Sequence, residues 1–187
     1  METVKYSLEK LENAYGAKSI PYSKLLLTVE WRDARNKIVK RDGDICKKCG
    51  KGNTVFIQGL YYWIDMVEVK DSIDLKDGWG PMEIVIDEME TEVADKSYQL
   101  EVHHKHYIAN KYPWQYPDDA LITLCNWCHQ EVHNTTSIPY YNHEGEALNY
   151  TACSRCSGSG SFPEYSHVQS GVCFRCGGAR YDELIVE

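Results

Sequence analysis

The chain has 187 residues and a formal net charge of −8 at pH 7, a length that suits one medium domain or two small ones. No apolar run approaches the roughly 20 residues of a membrane-spanning helix, and the first 23 residues lack the basic-then-apolar pattern of a signal peptide. We therefore expect a cytoplasmic protein with no membrane partner.

Charge is unevenly distributed along the chain. Residues 18–51 contain ten Lys and Arg against four acidic residues, whereas residues 64–101 contain twelve acidic residues against three lysines. Because charges are screened over about 8 Å at physiological salt, a basic surface can attract phosphate even when a distant segment is acidic. The acidic pI therefore does not exclude a nucleic-acid partner.

No chemical role is evident in residues 1–28, but the segment that follows has helical spacing. In "VEWRDARNKIVKR", residues 29–41, the apolar residues Trp31, Ala34 and Ile38, and beyond them Ile45, predict an amphipathic helix. A turn through Gly43 then leads into the first of the cysteine pairs.

All eight cysteines occur in Cys-x-x-Cys pairs, namely Cys46/Cys49, Cys125/Cys128, Cys153/Cys156 and Cys173/Cys176. The two-residue gap is that of zinc knuckles. A disulfide framework is less favoured without a signal peptide, and a redox dithiol requires one such pair rather than four. The pattern predicts structural zinc.

Residues 53–99 separate the first pair from the histidines and are interpreted as an insertion. "VFIQGLYYWIDMVEV" and "MEIVIDEMETEV" are rich in β-branched and aromatic residues, with the turn signal "KDGWGP" between them, which predicts a long β-hairpin. Its acidic residues could mimic DNA, repel DNA or form a solvated face.

The C-terminal segment, 148–187, has two knuckles that are separated by sixteen residues dominated by Gly, Ser and polar types. These residues cannot form a core of their own, whereas zinc binding supplies about 10–16 kcal/mol in small zinc domains. We assign Cys153, Cys156, Cys173 and Cys176 to one structural zinc. This zinc ribbon is similar to the knuckles of DnaJ-type chaperones, although a J-domain signature is absent; it could bind DNA, a protein partner or the rest of the chain.

Cys46 and Cys49 have no local partner, and neither do Cys125 and Cys128, so joining the two pairs forms a second zinc site. Such a closed site performs no chemistry, which leaves the histidines for another role. His129 and His133 are spaced i, i+4 and share one helix face. In the strand-like "YQLEVHHKH", His103 and His104 point to opposite sides, so only one of them can bind the same metal.

The segments "RDGDICKKCG", "LEVHH" and "LITLCNWCHQEVH" resemble the HNH endonucleases over residues 29–134, apart from the insertion. The resemblance implies a small α+β fold, zinc-stapled around a ββα-metal core of two strands and one helix, with the nuclease domain at 29–137. It also implies a bacterial or phage-encoded enzyme that hydrolyses DNA, most simply double-stranded DNA.

Site roles follow from the same resemblance. His103 corresponds to a ligand of the catalytic metal, His104 to the general base and His129 to the ligand on the helix, with His133 a further ligand or a phosphate contact. The cofactors implied are two structural zinc ions and one catalytic divalent metal, which could be magnesium, manganese, nickel or zinc. Arg35, Lys40, Arg41 and Lys105 are candidate contacts to the DNA backbone.

One position departs from the family pattern, because Ala120 stands where the family has an Asn that braces the loop of the general base. Asp118, Asp119 or Asn110 could replace it. The departure favours an alternative function, a non-catalytic zinc-containing module that binds nucleic acid or protein. The nearby aromatic residues, Tyr107, Tyr112, Trp114 and Tyr116, are expected to pack in the core rather than to stack on bases.

Overall fold

The structure is a computed structural model that describes residues 6–16, 20–74, 81–165 and 168–185, and the protein is a mixed α+β chain, as predicted. It divides into two compact units, Met1–Lys51 with Leu100–Glu187, and Gly52–Gln99. The C-terminal segment that was predicted as a separate domain therefore lies in the same unit as the histidines. None of the helices in the described ranges has the length and apolar character needed to cross a bilayer.

The first unit begins with α1 (Leu8–Tyr15), α2 (Tyr22–Leu25) and α3 (Val29–Arg41). The Thr28 hydroxyl caps α3 by accepting the Trp31 N–H at 3.2 Å, which satisfies a backbone donor that has no partner within the helix. The helix buries Trp31, Ile38 and Val39, in agreement with the predicted amphipathic pattern. Ile45 lies beyond the helix and is exposed, so it does not continue the apolar face.

The segment that contains the histidines forms two strands followed by a helix. β4 (Leu100–His104) pairs antiparallel with β6 (Leu121–Cys125), so that Leu100 lies opposite Cys125 and His104 opposite Leu121. Helix α4 (Asn126–Thr135) follows β6 without a loop. Helix α3 packs against both strands, and the Arg35 guanidinium donates to the Leu100 carbonyl at 2.5 Å.

Three short strands and the C-terminal cysteine element complete this unit. β5 (Tyr107–Ile108) pairs in parallel with β7 (Tyr140–Tyr141), which pairs antiparallel with β8 (Ala147–Leu148). In the C-terminal element the buried centre consists of the four cysteines, against which Phe162, Ala179 and Ile185 pack. A centre made mainly of thiols agrees with the small number of apolar residues in this segment.

The second unit is a three-stranded antiparallel sheet in the order β1-β2-β3. β1 (Val55–Ile57) joins β2 (Leu60–Asp74) through Gln58 and Gly59, whose φ angles of 48° and 91° are those of a tight hairpin turn. β2 pairs with β3 (Pro81–Ala94) along its whole length. The predicted long hairpin is therefore present, whereas the predicted turn "KDGWGP", residues 76–81, lies outside the described residues except for Pro81, which begins β3.

Candidate metal centre

The first four-cysteine cluster joins two segments that are far apart in the sequence. Cys46 and Cys49 follow α3, whereas Cys125 and Cys128 lie where β6 continues into α4, and their sulfurs all lie within 4.8 Å of one another. The Cys49 and Cys125 sulfurs are 3.7 Å apart, close to the roughly 3.8 Å expected between thiolates on a tetrahedral zinc with Zn–S bonds of about 2.3 Å. The predicted combination of these two pairs into one cluster that can bind zinc is confirmed.

The second cluster has the same geometry. Sulfur distances are 4.0 Å between Cys153 and Cys173 and 3.7 Å between Cys156 and Cys176. Burial raises the pKa of the Cys153 thiol. Hydrogen bonds from the backbone N–H groups of Arg155 and Cys156 have the opposite effect and outweigh it, so the pKa falls to about 7. Zinc binds the thiolate form, and the sulfur distances match those expected on a tetrahedral zinc, so this cluster also suits a structural zinc ion.

Three histidines form a separate cluster without thiols. His103 lies on β4, and His129 and His133 lie one turn apart on α4, with candidate ligand atoms within 4.8 Å of one another. The His103 ring centroid is 5.1 Å from that of His129 and 5.0 Å from that of His133. The Nε2 atoms of His129 and His133 are 3.2 Å apart, close to the roughly 3.3 Å between two nitrogens on a tetrahedral zinc with Zn–N bonds of about 2.05 Å.

Glu101 orients one of these imidazoles. Its carboxylate lies 2.5 Å from Nδ1 of His129, so Nδ1 is the protonated nitrogen and Nε2 holds the lone pair that faces His133. A carboxylate behind a ligand histidine is the usual second partner of such a ligand. The sequence prediction missed Glu101, although it lies two residues before His103 in the strand and therefore on the same face.

The electrostatics of the cluster favour the neutral form of His103 and His133. Burial, together with the charge of His129, lowers the pKa of His103 to about 3 and that of His133 to about 2. The Nδ1 atom of His103 is buried and has no hydrogen-bond partner within the described residues. Neutral imidazoles suit manganese, nickel or zinc better than magnesium, which prefers oxygen ligands. The donor set therefore fits a transition-metal ion.

His104 lies on the other side of β4, as the alternation of a strand predicts. Its ring stacks on Trp31 of α3, with 5.3 Å between centroids, and meets the edge of Tyr116 at 4.7 Å. Nε2 lies 2.9 Å from the Pro113 carbonyl oxygen, which can only accept, so Nε2 donates and Nδ1 keeps the lone pair. Burial lowers the pKa of His104 to about 3, although the contact with Pro113 acts in the opposite direction.

Several hydrogen bonds hold the loop after His104. The Tyr116 hydroxyl accepts the Ile108 N–H at 2.8 Å, and the Ala120 carbonyl accepts the Lys105 N–H at 2.9 Å. Asp118 instead forms an ion pair with Lys37 at 2.8 Å. The Tyr116 side chain is therefore bonded to the backbone of β5, and its aromatic ring belongs to the core, as expected.

Arg180, from the C-terminal cysteine element, was not predicted to have any role. Its guanidinium carbon lies 3.5 Å from the Tyr22 ring centroid and 3.9 Å from that of Tyr107, and the side chain is buried. Tyr107 in turn lies against His104, with ring centroids 5.5 Å apart. Two stacked aromatic faces compensate a buried cation in part, so Arg180 joins the N-terminal segment, β5 and the C-terminal element.

The C-terminal element also approaches the histidine cluster directly. Gly158 has a φ of +83°, and a Cβ atom at this position would lie 3.7 Å from Nδ1 of His133. The Tyr181 hydroxyl donates to the Ile138 carbonyl at 3.0 Å, just after α4. Of the roles left open for this element, packing on the rest of the chain is therefore the one that the contacts support.

The four predicted DNA contacts lie on or next to the strand-and-helix segment. Besides Arg35, the Arg41 guanidinium donates to the Leu121 carbonyl at 2.9 Å, and Lys105 Nζ donates to the Asp119 carbonyl at 2.7 Å. Arg41 also donates to the Asp118 carbonyl. Lys40 and Lys105 are exposed. Arg35, Arg41 and Lys105 thus stabilise the fold, and all four residues add positive charge to it.

Comparisons of the chain with protein-family models, with curated proteins and with solved structures found no match.

Proposed function

We propose that this chain is a metal-dependent HNH endonuclease that hydrolyses DNA phosphodiester bonds with His104 as the general base. One observation carries the proposal: three imidazoles converge on one side of β4, and a fourth, on the other side, has one nitrogen engaged by the backbone. In this proposal β4, β6 and α4 are the HNH core, and residues 148–187 are a zinc ribbon that packs on it.

The contacts of the histidines support the roles that we propose for them. His103, His129 and His133 would hold the catalytic metal, with Glu101 orienting His129. A divalent metal, when bound, supplies neutralisation of the charge that develops on the scissile phosphate and on the leaving oxygen. The two four-cysteine clusters take no part in the chemistry; the first one maintains the position of α4 relative to the residues that follow α3.

His104 is assigned the proton transfer. Its Nε2–H donates to the Pro113 carbonyl, which leaves the Nδ1 lone pair to accept a proton from the water that attacks phosphorus. A positioned base of this kind contributes about 10²–10⁴-fold to a rate. Lys40 and Lys105, both exposed, would contact the phosphate backbone of double-stranded DNA without reading its sequence, with Arg35 and Arg41 adding charge nearby.

A second candidate function is the non-catalytic binding module, and the burial of His104 favours it. Only 3% of the His104 surface is exposed, whereas a general base must reach a water molecule. Such a module would retain both zinc clusters and bind nucleic acid or protein through its basic surface.

Nicking of supercoiled plasmid, measured separately with magnesium, manganese, nickel and zinc, distinguishes the two functions. We expect the wild type to nick with at least one metal and His104→Ala to be slower by about 10²–10⁴-fold. His143→Ala is the matched control, because His143 is an exposed loop histidine. An intact plasmid with every metal would favour the binding module, and nicking by His104→Ala at the wild-type rate would show that His104 is not the base.

A further inference from the structure

The second unit contains the whole net charge of the protein. Residues 52–99 include eleven acidic residues and three lysines, a net charge of −8 that equals that of the complete chain, so all other residues together are neutral. A sheet with such a charge repels nucleic acid and attracts basic surfaces. The charge thus points to a type of partner that differs from DNA.

One face of this sheet is apolar and exposed. Between the turn that joins β1 to β2 and the Glu68–Asp87 pair, the strand register puts eight apolar side chains on the same face, which we call the hairpin apolar face. These residues are Val55, Ile57, Leu60, Tyr62, Ile64, Met66, Met89 and Val93. Tyr62 and Ile64 are half-buried, and the other six are between 41% and 65% exposed. Val85 lies on this face beyond the Glu68–Asp87 pair, opposite Lys70. Contiguous apolar surface of this kind marks interaction sites on soluble proteins.

The opposite face of the sheet presents packed aromatic rings and carboxylates. The rings of Phe56 and Tyr61 pack at 5.0 Å between centroids, and those of Trp63 and Tyr98 at 5.4 Å. Farther along β3, this face presents a row of exposed carboxylates from Glu88, Glu90 and Glu92. The two faces therefore differ: the larger group of exposed apolar side chains lies on the hairpin apolar face, whereas the opposite face combines ring pairs and carboxylates with the exposed Ile86.

Acidic residues border the hairpin apolar face. Met66 lies directly opposite Met89, and the next pair on the same face joins Glu68 to Asp87. Both carboxylates are exposed. Like charges directly opposite each other destabilise a sheet, and a cation placed between them removes that repulsion. An apolar pair followed by an acidic pair thus matches a partner with an apolar side chain next to Lys or Arg.

We infer that the hairpin apolar face is a docking surface for a basic protein, whose apolar side chains cover Met66 and Met89 while its Lys or Arg side chains pair with Glu68 and Asp87. A second copy of this chain fits less well, because its own hairpin would bring a further −8 to the same contact. Carboxylates along the outer strand β3 also oppose edge-to-edge pairing of two copies. The inference does not depend on nuclease activity.

Fluorescence anisotropy with the zinc-loaded 187-residue protein tests the inference. The probe is a labelled amphipathic peptide with leucines on one face and lysines on the other, and the comparison peptide has glutamate in place of lysine. We expect the lysine peptide to bind, the glutamate peptide not to bind, and salt to weaken the complex. The double variant Met66→Asp/Met89→Asp should bind the lysine peptide roughly tenfold more weakly or worse.

Whether the methionine double variant binds the lysine peptide more weakly or more tightly distinguishes apolar contact from charge attraction. Two added aspartates make the surface more acidic, so charge attraction alone predicts tighter binding of a basic peptide, whereas loss of apolar contact predicts weaker binding. Phe56→Asp is the matched control, since Phe56 is equally exposed but lies on the opposite face, and it should retain wild-type affinity. Glu68→Lys/Asp87→Lys should lose the lysine peptide as well.

Three results would overturn the inference. The first is equal binding of the lysine and glutamate peptides, and the second is tighter or unchanged binding by the methionine double variant. The third comes from sedimentation velocity: a wild-type dimer that becomes a monomer in the methionine double variant would show that a second copy occupies the face. A wild-type monomer supports a different protein as the partner.

Discussion

The Nε2 atom of His104 lies 2.9 Å from the carbonyl oxygen of Pro113, which connects the end of β4 to a loop nine residues farther along the chain. The same imidazole stacks on Trp31 of α3. A ring held by a carbonyl on its edge and by an aromatic face has one orientation and one tautomer. The position of the proposed base is therefore set by two segments that are distant in sequence from each other.

The hydrogen bond between His104 Nε2 and the Pro113 carbonyl predicts the tautomer of His104. We expect the neutral ring to have its proton on Nε2 at pH 7, because the Pro113 carbonyl can only accept a hydrogen bond. Long-range ¹H–¹⁵N correlation spectra of the zinc-loaded protein distinguish the two nitrogens, with His143 as an exposed comparison that should show mixed tautomers. A proton on Nδ1 of His104 would contradict the assignment of that atom as the base.

Glu101→Gln should weaken metal binding at the histidine cluster by about 10–100-fold, because an amide is a weaker partner than a carboxylate for the Nδ1–H of His129. Calorimetric titration of the zinc-loaded protein with nickel measures this affinity. Glu131→Gln is the control, since Glu131 is an exposed acid on the same helix that pairs with Lys48 at 2.8 Å. Equal affinities of the two variants would show that Glu101 does not orient His129.

Replacement of Arg180 should destabilise the first unit, and the loss should be larger for Lys than for Met. Lys keeps a buried charge but cannot stack its ammonium group on both tyrosines, so Arg180→Lys should lower the free energy of unfolding by about 1–2 kcal/mol. Arg180→Met removes the charge, and we expect a smaller loss. Urea denaturation measures both, with Arg175→Lys as an exposed control that should change little. A Lys variant as stable as the wild type would contradict the stacking argument.

Asp42 should make stability depend on pH in the acidic range. Burial raises the pKa of its carboxyl, but hydrogen bonds from Arg41 and Thr123 outweigh that effect and leave the pKa below its ordinary value. A lowered folded-state pKa adds stability above the unfolded pKa of about 4, and that stability is lost as the pH falls through the folded-state pKa. Loss of this carboxylate should therefore matter at neutral pH and not in strong acid.

The corresponding variant is Asp42→Asn. At pH 7 it should be less stable than the wild type by about 1–3 kcal/mol, and the difference should shrink below about pH 4. Urea unfolding at several pH values measures this. Asp44→Asn, at an exposed position two residues away, should follow the wild type at every pH. A difference between Asp42→Asn and the wild type that is constant with pH would contradict the argument.

Zinc removal should unfold the C-terminal element. Its buried centre consists mainly of four thiols, so binding of the metal provides most of its folding free energy. Native mass spectrometry should detect two zinc ions after extensive dialysis. A strong chelator should abolish amide protection in residues 151–182 by hydrogen exchange, whereas β2 and β3 keep theirs. Retained protection of the C-terminal element without zinc would contradict this prediction.

Local patterns were sufficient for several features. The spacing of Trp31 and Ile38 predicts α3, the Cys-x-x-Cys spacing predicts the knuckles, and the i, i+4 spacing of His129 and His133 predicts two imidazoles on one face. Strand alternation predicts that His103 and His104 point to opposite sides. Each of these inferences depends on covalent geometry over a few residues, which the order of amino acids specifies directly.

Contacts between distant segments could not be read from such patterns. Nothing in the spacing of Arg180 indicates that it lies between Tyr22 and Tyr107, or that the Tyr116 hydroxyl accepts the Ile108 N–H. Which carbonyl accepts from His104 also depends on how the sixteen-residue stretch between β4 and β6 folds back. A pattern restricts which face a side chain occupies, but the partner on that face is decided by packing.

By itself, the sequence determined the set of metal-type ligands, their grouping along the chain and the strong acidity of the hairpin, because composition and short-range periodicity specify all three. Only the tertiary structure decided that the three imidazoles meet beside Glu101, that a buried arginine joins the C-terminal element to the remainder of its unit, and that the exposed apolar groups of the hairpin share one face. These features arise from the simultaneous packing of segments up to 158 residues apart, as for Tyr22 and Arg180.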